Sequence, residues 1–133
     1  MPALDAIFSP HSVAVVGAST TPGKVGQAIF ATILRGGYTG TLDPVNPNAK
    51  SILCVRAYPS VKVIPDQVDL AMLILPPRLA LEAVNEAAES GVKGIVIVSA
   101  GFREVGERGA EIENRIVSIC KEAAIRLVGP NCL

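Results

Sequence analysis

The feature that most constrains the fold of this chain is a short apolar run at residues 12–18, followed by a glycine-containing loop and a helical pattern. The run reads SVAVVGA, and small or β-branched residues without polar alternation are typical of a strand that is buried on both faces. From Val25 onward, apolar residues recur at helical spacing until Gly36 and Gly37, and a glycine pair commonly ends a helix. This order of strand, loop and helix predicts the first part of a β-α-β unit.

The same alternation continues along the chain. It predicts further strands at residues 40–45, 69–75, 94–99 and 125–128, a short edge strand at 55–58, a helix from Pro77 to Gly91, and a last helix around 112–123. Buried strands that alternate with helices are joined by right-handed crossovers into a parallel sheet. The sequence therefore predicts an α/β fold, a Rossmann-like doubly wound parallel sheet, with residues 1–133 as a single domain. Ligands of such sheets bind beyond the carboxyl ends of the strands.

Composition narrows the functional classes. Half of the 133 residues are hydrophobic and 18% are charged, which is typical of a folded module and excludes the disordered and low-complexity classes. A net charge of zero, with three Phe, two Tyr and no Trp, argues against a surface that binds DNA or RNA. No apolar run approaches the ~20 residues of a membrane span. One histidine and three cysteines without CxxC spacing predict no metal site and a reducing, cytoplasmic setting.

The loop after the first strand, residues 17–26 (GASTTPGKVG), is the strongest candidate for binding a ligand. It leads into a helix, whose free N–H groups and positive end favour a phosphate. Gly23 and Gly26 allow close approach of the backbone, and Lys24 adds a positive charge. Residues 1–66 carry five basic and three acidic groups, so a small anion is expected to bind in this half. The simpler alternative is a tight turn between strand and helix.

Two common nucleotide motifs do not fit this loop. A dinucleotide fingerprint needs a second glycine where Ser19 stands, and an acidic residue at the end of the second strand, which instead ends with Asn46 and Pro47. A Walker A motif needs Ser or Thr after the lysine, where this chain has Val25. The loop therefore predicts a nucleotide-like site of another kind.

Several motifs carry a resemblance to a known family. They are LDAIFSPHSVAVVGAS, TTPGKVGQAI, PVNP, YPSV, VDLAMLILPP, GVKGIVIVSAGFREVGERGAE and GPNC, in this order. Over essentially its whole length the chain resembles the N-terminal CoA-binding domain of the nucleoside-diphosphate-forming acyl-CoA synthetases. These include the ADP-forming acetyl-CoA synthetases and, more distantly, the α subunit of succinyl-CoA synthetase. The same domain opens certain protein lysine acetyltransferases.

The resemblance implies coenzyme A as the cofactor and a set of residues that bind it. Residues 19–24 would hold the CoA phosphates, Asn46 and Pro47 would flank the adenosine, and the loops after the third and fourth strands would line the pantetheine path. The family often has Lys after PVNP where this chain has Asn48, and Lys50 is the candidate substitute. The implied binding residues are Gly17, Ser19, Thr20, Thr21, Pro22, Gly23, Lys24, Gly26, Asn46, Pro47, Lys50, Pro76, Pro77, Ser99, Ala100, Gly101 and Phe102.

The function implied by the resemblance is binding rather than catalysis. The chain would be the CoA-binding domain of an ADP-forming acyl-CoA synthetase and would present CoA to a phosphohistidine or acyl-phosphate site. That site, with the phosphohistidine and ATP-grasp domains or subunit, would lie outside this chain, so no catalytic residue is expected here. The alternatives are a CoA-binding regulatory domain of a lysine acetyltransferase, a stand-alone CoA sensor and, less favoured, a fragment of an NAD-binding oxidoreductase.

Single residues outside these motifs receive simpler interpretations. His11 precedes the first strand, at the opposite end from the ligand loops, so it is predicted to be a solvated surface residue. Cys132 is predicted to be structural because no histidine partner is near it in the sequence. Cys54 and Cys120 are predicted to be small packing residues. The charged residues between 103 and 115 are predicted to form a solvated helix face, with docking against a partner domain as the alternative.

Overall fold

The computed structural model of the protein describes residues 4–130 and has a five-stranded parallel sheet at its centre. The helices are α1 (Asp5–Phe8), α2 (Val25–Arg35), α3 (Pro77–Glu89) and α4 (Glu107–Glu122), with 3-10 turns at Val61–Val63 and Arg103–Val105. The strands are β1 (Ser12–Val16), β2 (Thr41–Val45), β3 (Ser51–Ile52), β4 (Val55–Arg56), β5 (Leu70–Leu73), β6 (Gly94–Ile97) and β7 (Arg126–Val128).

The order of strands in the sheet creates a switch point between β1 and β5. The spatial order is β2-β1-β5-β6-β7, with every neighbouring pair parallel. From β1 the chain first moves outward to β2 and then returns to β5 on the other side of β1. The predicted doubly wound parallel sheet is therefore confirmed, and its crevice lies where the carboxyl ends of β1 and β5 meet.

Helices cover the two faces of the sheet and give it two cores. Ala14 and Val16 of β1 belong to the core beneath α3 and α4, whereas Val13 and Val15 pack on the opposite side with Phe30 of α2. All five residues of β1 are buried. The absence of polar alternation in residues 12–16 thus reflects a strand whose two faces both contact apolar side chains.

The structure differs from the predicted boundaries at the start of α4, which begins at Glu107 rather than near residue 112, and at the carboxyl ends of the strands. β1 ends at Val16 rather than at residue 18 because Gly17 adopts a φ of 100°, outside the β region. β5 and β6 likewise end two residues earlier than predicted, at Leu73 and Ile97. The predicted edge strand becomes β4, paired with β3 in a hairpin, while Tyr58 makes a separate parallel bridge to Val45.

One prediction about cysteines is wrong. Cys54 is exposed, because it forms the two-residue turn of the β3–β4 hairpin with Leu53, and both residues have positive φ angles of 68° and 49°. Cys120 is buried in α4 as predicted, and burial raises the pKa of its thiol to about 11. Cys132 lies outside the described residues.

The charged residues near α4 form an exposed face with internal contacts. Arg103 Nε lies 3.2 Å from Glu113 Oε2, and its guanidinium also donates to Asn114 at 2.8 Å. His11 is exposed at the start of β1, as predicted, at the end of the strand opposite the crevice. Some of the charged side chains between residues 103 and 115 therefore interact with one another on the surface.

Candidate nucleotide-binding site

A cavity of about 690 Å³ lies at the carboxyl ends of β1, β2 and β5. The loop after β1, the loop after β2 and the first turns of α3 surround it. Its lining residues are Val16, Gly17, Ala18, Ser19, Lys24, Val25, Gly26, Val45, Asn46, Pro47, Asn48, Pro59, Ile74, Leu75, Leu79, Glu82, Ala83 and Glu86. The cavity thus occupies the switch point of the sheet, where doubly wound domains bind their ligands.

Glycines allow the loop after β1 to pack against its neighbours. A Cβ atom on Gly17 would overlap the carbonyl oxygen of Ile74, and one on Gly26 would overlap the carbonyl oxygen of Gly17. Gly23 has a φ of 90°, but a Cβ there would meet nothing within 4 Å. Gly17 and Gly26 are therefore needed for close approach, whereas Gly23 is needed for its backbone angle.

The start of α2 gives this part of the cavity a positive character. The first turn of a helix leaves its N–H groups without carbonyl partners, and the first two residues of α2, Val25 and Gly26, line the cavity. Lys24 precedes the helix, lines the same wall and forms no ion pair among the residues that the structure describes. The loop is ordered from within, since Thr21 N–H donates to Ser19 Oγ at 3.0 Å. This wall can hold an anion such as a phosphate.

The opposite part of the cavity is apolar with an acidic rim. Ile74, Leu75 and Leu79 supply aliphatic side chains from the end of β5 and the start of α3. Glu82 and Glu86 lie on the next turns of α3. A ligand that fills the cavity would therefore place its phosphates near Lys24 and an uncharged portion against α3.

Glu86 also fixes the chain that precedes β5. Its carboxylate accepts a hydrogen bond from Ser60 Oγ at 2.8 Å, and Lys62 Nζ lies 2.9 Å from Glu89 on the same helix. Hydrogen bonding to Glu89 and its charge raise the pKa of Lys62. These contacts hold the 3-10 turn at Val61–Val63 against α3 and so shape the cavity rim.

The structure brings six of the predicted binding residues to the cavity and leaves the others outside its lining. The six are Gly17, Ser19, Lys24, Gly26, Asn46 and Pro47. Residues 20–23 form the outer part of the loop after β1, and Lys50 is exposed at the start of the hairpin. The proline pair at 76–77 and residues 99–102 follow β5 and β6, further along the same edge of the sheet.

The loop after β6 is held by its own side chains. Ser99 Oγ donates to the carbonyl of Leu75 at 2.5 Å and accepts its N–H at 3.2 Å. The Glu104 carboxylate accepts the N–H groups of Gly101 at 3.3 Å and Phe102 at 2.8 Å. Backbone hydrogen bonds, first from its own N–H and then from these two, lower the pKa of Glu104. Phe102 is fully buried in the core, so a ligand could reach only its backbone.

Sequence reasoning missed the part of the site that α3 and the connection before β5 contribute. Glu82 and Glu86 follow a helical polar pattern that also fits a solvated helix face, and Pro59 lies in the YPSV motif, which by itself indicates no ligand contact. Glu82 and Glu86 reach the cavity because α3 packs on the face of the sheet that carries Ala14 and Val16, and Pro59 reaches it because Tyr58 is bridged to Val45 at the end of β2. Leu75 could have been included, because it is the last residue of the predicted strand at 69–75 and strand ends are where such sheets bind ligands.

Other kinds of site are not seen in the described part of the chain. Among residues 4–130, no group of three or more His, Cys, Asp or Glu side chains is placed to hold a metal ion. Within the same residues, no helix has the length and apolarity that a membrane crossing requires.

The fold and the cavity together define a doubly wound domain with a glycine-containing loop at its switch point. Comparison with known families narrows this class. The family model described as "CoA binding domain" matches residues 11–133, and the chain belongs to this family. Coenzyme A is therefore its cofactor.

The relatives of this chain include ADP-forming ligases. It is 48% identical to acetate–CoA ligase (ADP-forming) II of Archaeoglobus fulgidus over 98% of its own length and 20% of that protein. It is 42% identical to the α subunit of acetate–CoA ligase (ADP-forming) II of Pyrococcus furiosus, covering 98% of this chain and 28% of the subunit. The chain thus spans less than a third of either relative.

A solved structure shares the same fold. The acetyl-coenzyme A synthetase 1 of Candidatus Korarchaeum cryptofilum, solved with phosphate and ADP, superposes with a TM-score of 0.91 at 36% identity. The match covers 96% of this chain and 27% of that one. The resemblance inferred from the motifs is confirmed, and the acetyltransferase, sensor and oxidoreductase alternatives are not favoured.

Proposed function

We propose that residues 1–133 form one CoA-binding domain and that CoA lies across the cavity with its phosphates at the loop after β1. The main support is that one cavity has both a positive wall and an apolar wall. Lys24 and the first N–H groups of α2 form the positive wall, and Leu75 and Leu79 form the apolar one. CoA has phosphates on one part and an uncharged pantetheine arm on the other, so it matches both walls.

The remaining predicted residues are assigned to the two ends of CoA. Pro76, Pro77 and residues 99–102 would line the pantetheine path. A Cβ on Gly101 would lie 3.6 Å from the Pro77 ring, and Ser99 is bonded to Leu75, so the loops after β5 and β6 are continuous with the cavity wall. Residues 20–23 would surround the phosphates, and Lys50 would supply the positive charge that the resemblance leads us to expect after PVNP.

The domain would act as the CoA-holding part of a larger cytoplasmic ligase. Its parent would convert an acid, ATP and CoA to acyl-CoA, ADP and phosphate, with the phosphohistidine and ATP-grasp domains in the same chain or in a second subunit. The ADP-forming relatives, of which this chain spans less than a third, support this assignment. By itself the domain is expected to bind CoA without turning it over.

Titration calorimetry with CoA, dephospho-CoA and NAD tests the proposal. CoA is expected to bind most tightly, dephospho-CoA more weakly because it lacks one phosphate, and NAD not to bind measurably. Binding of NAD without binding of CoA would show that the ligand assignment is wrong. Formation of acyl-CoA by the isolated domain from acetate, ATP and CoA would contradict the assignment of catalysis to other domains.

A further inference from the structure

Asn46 lies directly after β2, and its polar groups are already hydrogen bonded inside the protein. Its backbone N–H donates to the carbonyl of Tyr58 at 2.9 Å. Its side-chain Oδ1 accepts the N–H of Asn48 at 2.8 Å, and its Nδ2 donates to the carbonyl of Ala18 at 2.9 Å. The side-chain amide thus makes two hydrogen bonds before any ligand binds.

The bond to Ala18 joins the loop after β2 to the loop after β1, whereas the bond from Asn48 lies within the loop after β2 and fixes the Asn46 side chain. Ala18 belongs to the loop after β1 and is 1% exposed, and the chain continues from it through Ser19 to Lys24. The bond from Asn46 is the one side-chain hydrogen bond between the two loops within residues 4–130. It lies just beyond the pairing of β1 with β2, where Gly17 N–H donates to the carbonyl of Val45 at 3.1 Å.

We propose that Asn46 is a positioning residue, which holds the phosphate-binding loop in place rather than contacting the adenosine. This inference rests on the proposed function, since the loop is assigned there to the CoA phosphates. A fixed loop keeps the N–H groups of α2 and the Lys24 side chain directed at one point, so binding does not have to order them. Asn46 would then affect every ligand that uses the loop.

The first experiment compares two ligands that share phosphates but differ in adenosine. In the Asn46→Ala variant, affinity for CoA and for inorganic pyrophosphate is expected to fall by the same factor, about tenfold, the value of one lost hydrogen bond. CoA is measured by calorimetry and pyrophosphate by competition. A loss confined to CoA would overturn the proposal, because it would indicate contact with the adenosine. Asn85→Ala, on an exposed position of α3 outside the cavity, is the matched control and is expected to change neither affinity.

The second experiment needs no ligand and therefore separates this inference from the proposed function. Backbone ¹⁵N order parameters of residues 18–24 are expected to fall below about 0.6 in Asn46→Ala, against about 0.85 for rigid backbone. Unchanged order parameters would overturn the inference. If the parent bound neither CoA nor pyrophosphate, the proposed function would fail, while these order parameters would still decide whether Asn46 holds the loop.

A variant with a side chain of the same size is less disruptive to the fold, and it makes the order of the loop depend on pH. Asn46→Asp keeps the oxygen that accepts the Asn48 N–H but places a carboxylate oxygen against the Ala18 carbonyl. The loop is expected to be mobile at pH 7 and to regain the parent's order parameters at about pH 3.5, where the protonated carboxyl can donate. A loop that is ordered at both pH values, or mobile at both, would contradict the proposal. Asn48→Asp controls for charge and is expected to leave the loop ordered at both.

Discussion

Lys24 is the one charged residue in the loop between β1 and α2, and it lies where the helix begins. Positive charge at this position and the N–H groups of the first helical turn act on the same anion. Acidic residues on the far wall, Glu82 and Glu86, leave this end of the cavity as the favourable one for phosphates. In the proposed complex, the charge of Lys24 would therefore contribute to the orientation of CoA.

Removing this charge should weaken CoA binding. Lys24→Ala is expected to raise the Kd for CoA about tenfold at low salt, which corresponds to ~1.4 kcal/mol, and the difference should shrink as salt screens the charge. Titration calorimetry at two salt concentrations measures this. Lys93→Ala, at an exposed position before β6, is the control and should bind CoA like the parent. Equal affinity of Lys24→Ala and parent at low salt would show that Lys24 does not contact phosphate.

Asp43 lies in an environment that disfavours the charged form of its carboxyl group. It is half-buried in β2, and burial, followed by the nearby Asp66 carboxylate, raises its pKa. The folded protein therefore holds the proton of Asp43 more tightly than the unfolded chain does. This group favours folding when protonated, and that contribution is lost as the pH rises through the raised pKa.

The Asp43→Asn variant should accordingly be more stable than the parent at pH 7. The gain should disappear below about pH 3.5, where Asp43 is protonated in both the folded and the unfolded chain. Chemical denaturation at a series of pH values gives the free energy of unfolding for each protein. Asp66→Asn removes only the second cause and should give a smaller gain. A gain that persists unchanged at low pH would mean that charge is not its origin.

At the scale of elements, the β3–β4 hairpin is where local sequence and backbone conformation disagree most. Both residues of its two-residue turn, Leu53 and Cys54, have positive φ angles, which Asn and Gly adopt readily and other residues adopt at a cost. The hairpin forms nevertheless, because Ile52 is buried in the core under α2 and Tyr58 continues the pairing with β2. Tertiary packing thus overrides turn preference here.

Replacing this turn with residues suited to it should stabilise the protein. The double variant Leu53→Asn and Cys54→Gly is expected to gain about 1 kcal/mol in the free energy of unfolding, because the backbone strain is relieved. Urea denaturation measures the gain. The control is the double variant Thr39→Asn and Thr20→Gly, which introduces the same two residue types at exposed positions in other loops. It should not raise the free energy of unfolding. A double variant less stable than the parent would show that the Leu53 side chain stabilises the fold by more than the positive φ angles of the turn destabilise it.

At the scale of the whole molecule, the cavity is assembled from three strand ends, one helix N-terminus and the first turns of another helix. A ligand that fills it contacts segments that are distant in the sequence and can bind only when all are in place. Binding is therefore linked to the folding of the whole domain rather than to any single loop.

This linkage predicts stabilisation of the domain by CoA. At a CoA concentration about 100 times its Kd, the free energy of unfolding should rise by about 2.7 kcal/mol, which raises Tm by roughly 5–15 °C. Thermal denaturation followed by circular dichroism measures the shift. NAD at the same concentration is the control and should leave Tm unchanged. A shift with NAD equal to that with CoA would indicate binding through phosphate alone.

The sequence by itself determined the order of the main strands and helices, the parallel sheet and the loop after β1 that lines the cavity. A buried strand has apolar residues on both faces, and an amphipathic helix has apolar residues every three or four positions. Both patterns can be recognised within about ten adjacent residues. For the same reason Gly17, Lys24 and Gly26 could be named in advance: each acts through the local strand-to-helix turn.

Only the tertiary structure decided which distant groups share the cavity with that loop. Glu82 and Leu79 reach it because β5 lies beside β1 and α3 follows β5, and nothing in their own neighbourhood distinguishes them from other residues of an amphipathic helix. Asn46 likewise could be placed at a strand end, but its bond to Ala18 spans 28 positions in the sequence. A local sequence pattern reflects interactions between residues that are close in the chain. Contacts across the sheet form only when the strands have paired, so no local pattern predicts them.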